Sequence, residues 1–150
     1  TDVPLIDALV SAARAGARID LLVRGACMLA ASVPGVTDRI RVRSVVGRFL
    51  EHTRVLYFRW GDGESREALF LSSADWMGRN MFGRIEVAWP VRDNLLRQRI
   101  IDECLVPYLH DRQDAWDLRA DGKYQRVAQG GASAQQALLA RFSNVEANDL

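Results

Sequence analysis

Residues 40–58 read IRVRSVVGRFLEHTRVLYF, and the rest of the chain is organised around this stretch. Its first part alternates, with Ile40 and Val42 on one face and Arg41 and Arg43 on the other, which is the period of a β-strand. Its last part alternates again, with His52 and Arg54 sharing a face while Val55 and Tyr57 lie opposite. Side chains two positions apart on a strand point the same way, so H-x-R aims an imidazole and a guanidinium into one space. Such a pair suits a multiply charged oxyanion, phosphate above all. Arginine offers a planar fork of donors, and histidine exchanges a proton near neutral pH.

Upstream, residues 17–23 (ARIDLLV) predict a short buried strand that ends at Arg24–Gly25. An arginine at the carboxyl end of a strand, before a glycine that frees the backbone, is placed either to reach a bound anion or to lie in a surface loop. Before that strand, residues 1–15 predict an amphipathic helix capped by Thr1 or Asp2, with Pro4 in its first turn and Gly16 as its stop. Leu5, Ile6, Leu9, Val10 and Ala13 form its apolar stripe. Downstream, residues 59–65 predict a turn into an antiparallel strand at 67–72, and 84–91 a further strand closed by Pro90. Residues 93–109 predict the longest helix, capped by Asp93 and bent or ended by Pro107, with Arg97, Gln98, Asp102 and Glu103 facing solvent. His110 follows in a polar loop. Residues 116–118 and 124–127 predict a hairpin, Gln129-Gly130-Gly131 a hinge, and 133–142 a closing helix whose Leu138, Leu139 and Phe142 seek a surface. The tail from Ser143 is expected to fray. This order of elements implies an α/β architecture, a mixed sheet with helices on its faces.

A chain of 150 residues suffices for one domain with a sizeable core. At 49% hydrophobic and 26% charged residues, it reads as a soluble globular protein. A net charge of +1 argues against general attraction to nucleic acid or membrane, although all but one of the 20 basic residues are arginine. Cys27 and Cys104 lack metal-ligand spacing and are expected to be reduced thiols. No signal peptide or long apolar span is evident, so a cytoplasmic location is expected.

Five blocks carry a family resemblance: IDLLVRG (19–25), VPG (33–35), RIRVRSVVGRFLEHTR (39–54), LSSADWMGRN (71–80) and RIEVAWPV (84–91). In this order they resemble the C-terminal catalytic domain of bacterial polyphosphate kinases, which move phosphoryl groups between ATP and inorganic polyphosphate. The sequence departs from that pattern at Ala30–Ser32, where a basic residue is lost, and at Met81–Gly83, where an apolar ring replaces a charged residue. LSSADWMGRN also resembles the tail of the phospholipase D motif H-x-K-x4-D-x6-G-S-x-N, with His52 and Arg54 as its H-x-K and Ser72, Ser73 and Asn80 as small polar groups that position the histidine or the phosphate. The motif's aspartate is absent, since Arg59 stands at its spacing. Asp75 and Trp76 read equally well as part of this motif tail or as a structural cap and a core anchor.

The resemblance implies a phospholipase D-like half, residues 1–150 forming a single C-terminal domain that lacks the family's preceding portion. It implies that the histidine carrying the covalent phosphate lies in that preceding portion. His52 is then the partner histidine across the site, assisting transfer, and Arg24 clamps nucleotide phosphates. Mg²⁺ is expected to arrive with ATP on ligands outside this chain, and a homo-oligomer is expected. Two other readings stay open: a phospholipase D-type phosphotransferase or hydrolase pairing two half-sites as a dimer, and a non-catalytic polyanion-binding module. On the kinase reading, the chain alone makes no polyphosphate from ATP. ATP-dependent synthesis by the purified chain, with a His52→Ala control against contaminating enzyme, would contradict this.

Overall fold

The computed structural model describes residues 2–61, 66–127 and 130–143. The chain is mixed α/β, as its pattern predicts, but the strands divide between two sheets. Helix α1 (Val3–Arg14) starts after Asp2, which holds the N-cap position without a side-chain capping bond, and ends before Gly16 at φ 103°. Strand β1 (Ile19–Val23) runs parallel to β2 (Ile40–Val45), with Ile19 opposite Ile40 and Val23 opposite Ser44. Parallel neighbours need a crossover. Here it is the turn-rich segment 24–39, pinned where the Thr37 hydroxyl donates to the Ala30 carbonyl (2.6 Å) and accepts from the Val33 amide (3.0 Å). Strands β3 (Val55–Trp60), β4 (Arg66–Ser72) and β5 (Ala88–Pro90) form a separate antiparallel sheet in that order. Strands β6 (Ala115–Leu118) and β7 (Tyr124–Arg126) complete the first sheet, ordered β1-β2-β6-β7.

The core lies between α1 and the four-stranded sheet. Ala13, Leu29, Ala31, Ile40, Val42 and Leu118 are buried there, with Ile6, Leu9 and Val10 of α1 packed against them. Burying such aliphatic side chains contributes about 1.5–3 kcal/mol each for the larger ones. The alternation in β2 sends Arg43 to the opposite face, where it is only 8% exposed. Its Nε and Nη2 donate to both Asp117 oxygens (2.7 and 3.0 Å) across the β2–β6 pair, and Nη1 donates to the Leu109 carbonyl. Arg41 stays exposed and pairs with Asp20 at 2.8 Å.

Several expectations are corrected. H-x-R does not lie on a strand: β3 begins at Val55, and His52 and Arg54 occupy the loop before it. Strand β3 extends through Arg59 and Trp60, and residues 62–65 of the expected turn lie outside the described residues. The 84–91 strand shortens to Ala88–Pro90, because the Val87 amide bonds to Ser73 Oγ (3.0 Å) rather than to a β4 carbonyl. The long helix is interrupted. Helix α2 (Gly78–Gly83) is followed by α3 (Asn94–Ile100), capped as expected by Asp93, whose Oδ1 accepts from the Leu96 amide at 2.9 Å. A π turn at Ile101–Leu105 then leads into α4 (Val106–His110). Pro107 has no N–H for the carbonyl four residues back, and the Val106 amide instead reaches Ile101, so the ladder widens by one residue. Arg97 does not face solvent but donates to Glu67 of β4 (2.8 Å), which also accepts from the Tyr57 hydroxyl (2.6 Å). His110 ends α4 rather than standing in a loop.

Helix α5 (Ala134–Ser143) buries Ala134 and Gln135 at its start, while Leu139 and Phe142 remain exposed. Gln129 of the expected hinge and residues 144–150 of the tail lie outside the described residues. Cys27 and Cys104 are unpaired. Among the described residues no helix is long and apolar enough to cross a membrane. Arg43→Ala is expected to lower the unfolding free energy by about 1–3 kcal/mol, because it removes a near-buried guanidinium and its bonds to the part-buried Asp117 and the Leu109 carbonyl. Arg41→Ala should cost less than about 1 kcal/mol. Urea denaturation followed by circular dichroism separates the two.

Candidate functional site

Parallel pairing brings the carboxyl ends of β1 and β2 to one edge of the sheet. Arg24 leaves β1 there, and the segment that leaves β2 returns through Glu51 and His52. Arg24 and His52 are 28 residues apart in sequence, yet Arg24 Nη1 lies 3.0 Å from His52 Nδ1. The same nitrogen donates to the Glu51 carbonyl. A guanidinium has no acceptor, so in this contact His52 Nδ1 is the accepting atom.

Arg54 reaches this place by a different route from the one its spacing implies. Its Nη1 donates to the His52 carbonyl (2.8 Å), and its Nε and Nη2 lie 3.1 and 3.0 Å from Asp75 Oδ1. Arg24 Nη2 donates to that same oxygen at 3.2 Å, and Arg79 Nη2 stands 3.8 Å from Oδ2. One carboxylate thus collects three guanidiniums. Burial alone would raise the Asp75 carboxyl; the hydrogen bond from Arg54 and the charges of Arg54, Arg24 and Arg79 outweigh it and hold the group below its ordinary value. Side-chain exposures of 32% for Arg24 and 27% for Arg54 leave both within reach of a dissolved anion.

Of the other residues expected at the site, Ser72 accepts from the Ala74 amide (3.1 Å) and holds the turn after β4. Ser73 and Asn80 turn to Glu86 instead of His52. The Ser73 hydroxyl donates to Oε2, and Asn80 Nδ2 to Oε1 at 2.6 Å. Those two bonds, from Ser73 first, lower the Glu86 carboxyl against the opposing effect of burial, with help from the charges of Arg84 and Arg54. Asn80 Oδ1 is buried with no partner among the described residues. Glu86 is the acidic residue that sequence reasoning missed, and Asp75 is one that it left undecided between a structural and a site role. Both stood inside the quoted blocks, as the D of LSSADWM and the E of RIEV, but nothing in their spacing marks them as arginine and amide acceptors. Among the described residues no three His, Cys, Asp or Glu side chains gather as a metal site. Asp75 and Glu86 are already engaged, so the residues present do not fit a resident Mg²⁺.

The family model described as polyphosphate kinase C-terminal domain 2 matches residues 1–137. The chain belongs to that family. It is 49% identical over 140 residues to polyphosphate kinases of Burkholderia cenocepacia and Paraburkholderia phytofirmans, matching 92% of this chain and 20% of each relative. It spans about a fifth of the length of these curated relatives. The crystal structure of polyphosphate kinase from Porphyromonas gingivalis superposes with a TM-score of 0.82 at 36% identity, covering 95% of this chain and 22% of that one. This polyphosphate kinase C-terminal domain therefore shares its fold with a relative at 36% identity.

The lowered Asp75 carboxyl has a consequence for stability. The unfolded chain holds the Asp75 proton at a pH where the folded chain has already released it. Its stabilising contribution is therefore full above the ordinary aspartate value of about 4 and is lost as the pH falls through the lower native value. Asp75→Asn should lower Tm at pH 7 and make the acid limb of Tm against pH shallower. Glu67 and Glu86, lowered in the same sense, keep some slope in the variant. Melting curves of both proteins from neutral to strongly acidic pH provide the check, and superimposable acid limbs would refute this role for Asp75.

Proposed function

We propose that this chain supplies the nucleotide- and phosphate-gripping half of a polyphosphate kinase that reversibly transfers the terminal phosphoryl group of ATP to inorganic polyphosphate. The observation that carries this reading is the meeting of Arg24, His52 and Arg54 at one exposed place, where two guanidiniums share the Asp75 carboxylate and one of them also meets the His52 imidazole. Phosphoryl transfer needs little covalent chemistry from such residues and much positioning and charge stabilisation.

Arg24 and Arg54 bind the phosphate oxygens, with Asp75 holding both guanidiniums in place between turnovers. His52, with Nδ1 occupied by Arg24, offers its Nε2–H to the oxygen on which charge builds as the bond to the transferred phosphoryl group breaks. The phosphoryl group itself passes to a histidine in the preceding portion of the polypeptide, releasing ADP, and from there to the terminal oxygen of the polyphosphate chain. Ser72, Ser73 and Asn80 support the adjoining loop, and the orphaned Asn80 Oδ1 leaves one acceptor available there.

The test uses a full-length polyphosphate kinase carrying this segment. His52→Gln should reduce kcat by about 10²–10⁴-fold while KM for ATP and Tm change little. Arg24→Ala should chiefly raise KM for ATP, because its contact already exists in the ground state. A His52→Gln enzyme with near-normal kcat would remove His52 from the mechanism.

A further inference from the structure

The segment between β2 and β3 carries His52, and it is held by helices distant in sequence. Gln135, in the first turn of α5, is 6% exposed and grips Phe49 on both sides of its backbone. The Phe49 amide donates to Gln135 Oε1 (2.9 Å), and Gln135 Nε2 donates to the Phe49 carbonyl (2.7 Å). The same Nε2 donates to Glu51 Oε1 at 2.7 Å, and the Tyr108 hydroxyl donates to that oxygen at 2.7 Å. Burial first, then the bond to Glu51 and its charge, push the Tyr108 hydroxyl well above its ordinary value, so it stays a donor at any physiological pH. A Cβ on Gly47 would run into the Gln135 amide and crowd Asp114 Oδ2 at 3.2 Å, so the segment passes this amide with little space for a side chain. Helix α5 is itself anchored, since Asp111 Oδ2 accepts the Ala134 amide at 2.7 Å. On the other side of Glu51, its carbonyl accepts from Arg24, the arginine that also meets the ring of the next residue, His52.

We propose that Gln135 and Tyr108, acting through Glu51, are positioning residues of the phosphate site. They hold the Glu51–His52 backbone so that Arg24 Nη1 and the His52 ring meet an anion as one unit. This rests on the phosphate-binding reading of Arg24 and His52 given above. Two donors converge on one oxygen of Glu51, so its carboxylate acts as a brace between helix and loop. Gln135 and Tyr108 do not contact Arg24 or His52 themselves; their effect passes through one side chain and one peptide.

Glu51→Ala, Glu51→Gln and Tyr108→Phe in the 150-residue chain test this, with two measurements on each. Calorimetry reads affinity for inorganic tripolyphosphate. Carbon-edited proton spectra read the two histidine rings, with His110, whose Nδ1 lies 3.0 Å from the Val106 carbonyl, as internal control. Glu51→Ala should weaken tripolyphosphate binding by about tenfold and move the His52 resonances while those of His110 stay in place. Tyr108→Phe should do the same to a smaller degree. Glu51→Gln keeps an oxygen for both donors and should recover most of the lost affinity. Wild-type affinity and unmoved His52 resonances in folded Glu51→Ala and Tyr108→Phe would overturn the proposal. Should Glu51→Ala fail to fold, Tyr108→Phe, lacking one oxygen atom, decides alone. If the unaltered chain fails to bind tripolyphosphate, the phosphate reading of the site falls, while the His52 resonances still decide whether the brace orders the ring.

Discussion

The carboxylate of Asp75 holds the two sheets to one another at the site. Arg24 belongs to the end of β1 in the four-stranded sheet, and Arg54 immediately precedes β3 in the three-stranded one. Two guanidiniums that reach the same carboxylate oxygen repel one another. Their convergence therefore needs an anion, and the segment after β4 provides one. Asp75 remains partly open to water, at 23% side-chain exposure, so its own desolvation stays affordable.

On the proposed reading this carboxylate also stands where a phosphate oxygen has reason to be. The arginines are oriented before any substrate arrives, and little ordering remains to be done when it does. A bound phosphate shares or displaces an existing partner, which moderates affinity. That suits a reversible transfer, in which the site must release phosphate as readily as it takes it. The same logic explains why Ser73 and Asn80 do not touch His52. They hold Glu86, a second carboxylate lowered by their hydrogen bonds, beside a cluster that carries excess positive charge.

Much of this was legible in the residues. Strict alternation in β2 announced both its buried face and the arginines on the other, while the strand-end position of Arg24 left it open between an anion contact and a surface loop, and only the fold shows its meeting with His52. The alternation at His52 and Arg54 was misleading, because a run of four residues without strand pairing can mimic a pleat. The two side chains are associated instead by a bond from Arg54 to the His52 backbone. Division into two sheets was not legible, since hydrophobic period identifies strands without saying which ones pair. Asp75 was undecided between cap and site for a similar reason: its role depends on two arginines that are 21 and 51 residues away. The π turn was invisible because a stripe read at 3.6 residues per turn presumes an unbroken ladder.

That π turn sets the orientation of everything after it. Each residue of an α-helix advances the side-chain direction by about 100°, so one extra residue in the ladder swings the following turn by that angle. Tyr108 points at Glu51 only because the swing has occurred between Ile101 and Leu105. Segment length here is thus a form of aim. A one-residue deletion in this part of the helix would swing the following turn back and point the phenol away from the loop it holds. The spacing between Asp93 and Tyr108 is consequently constrained by the geometry of a histidine that neither residue touches.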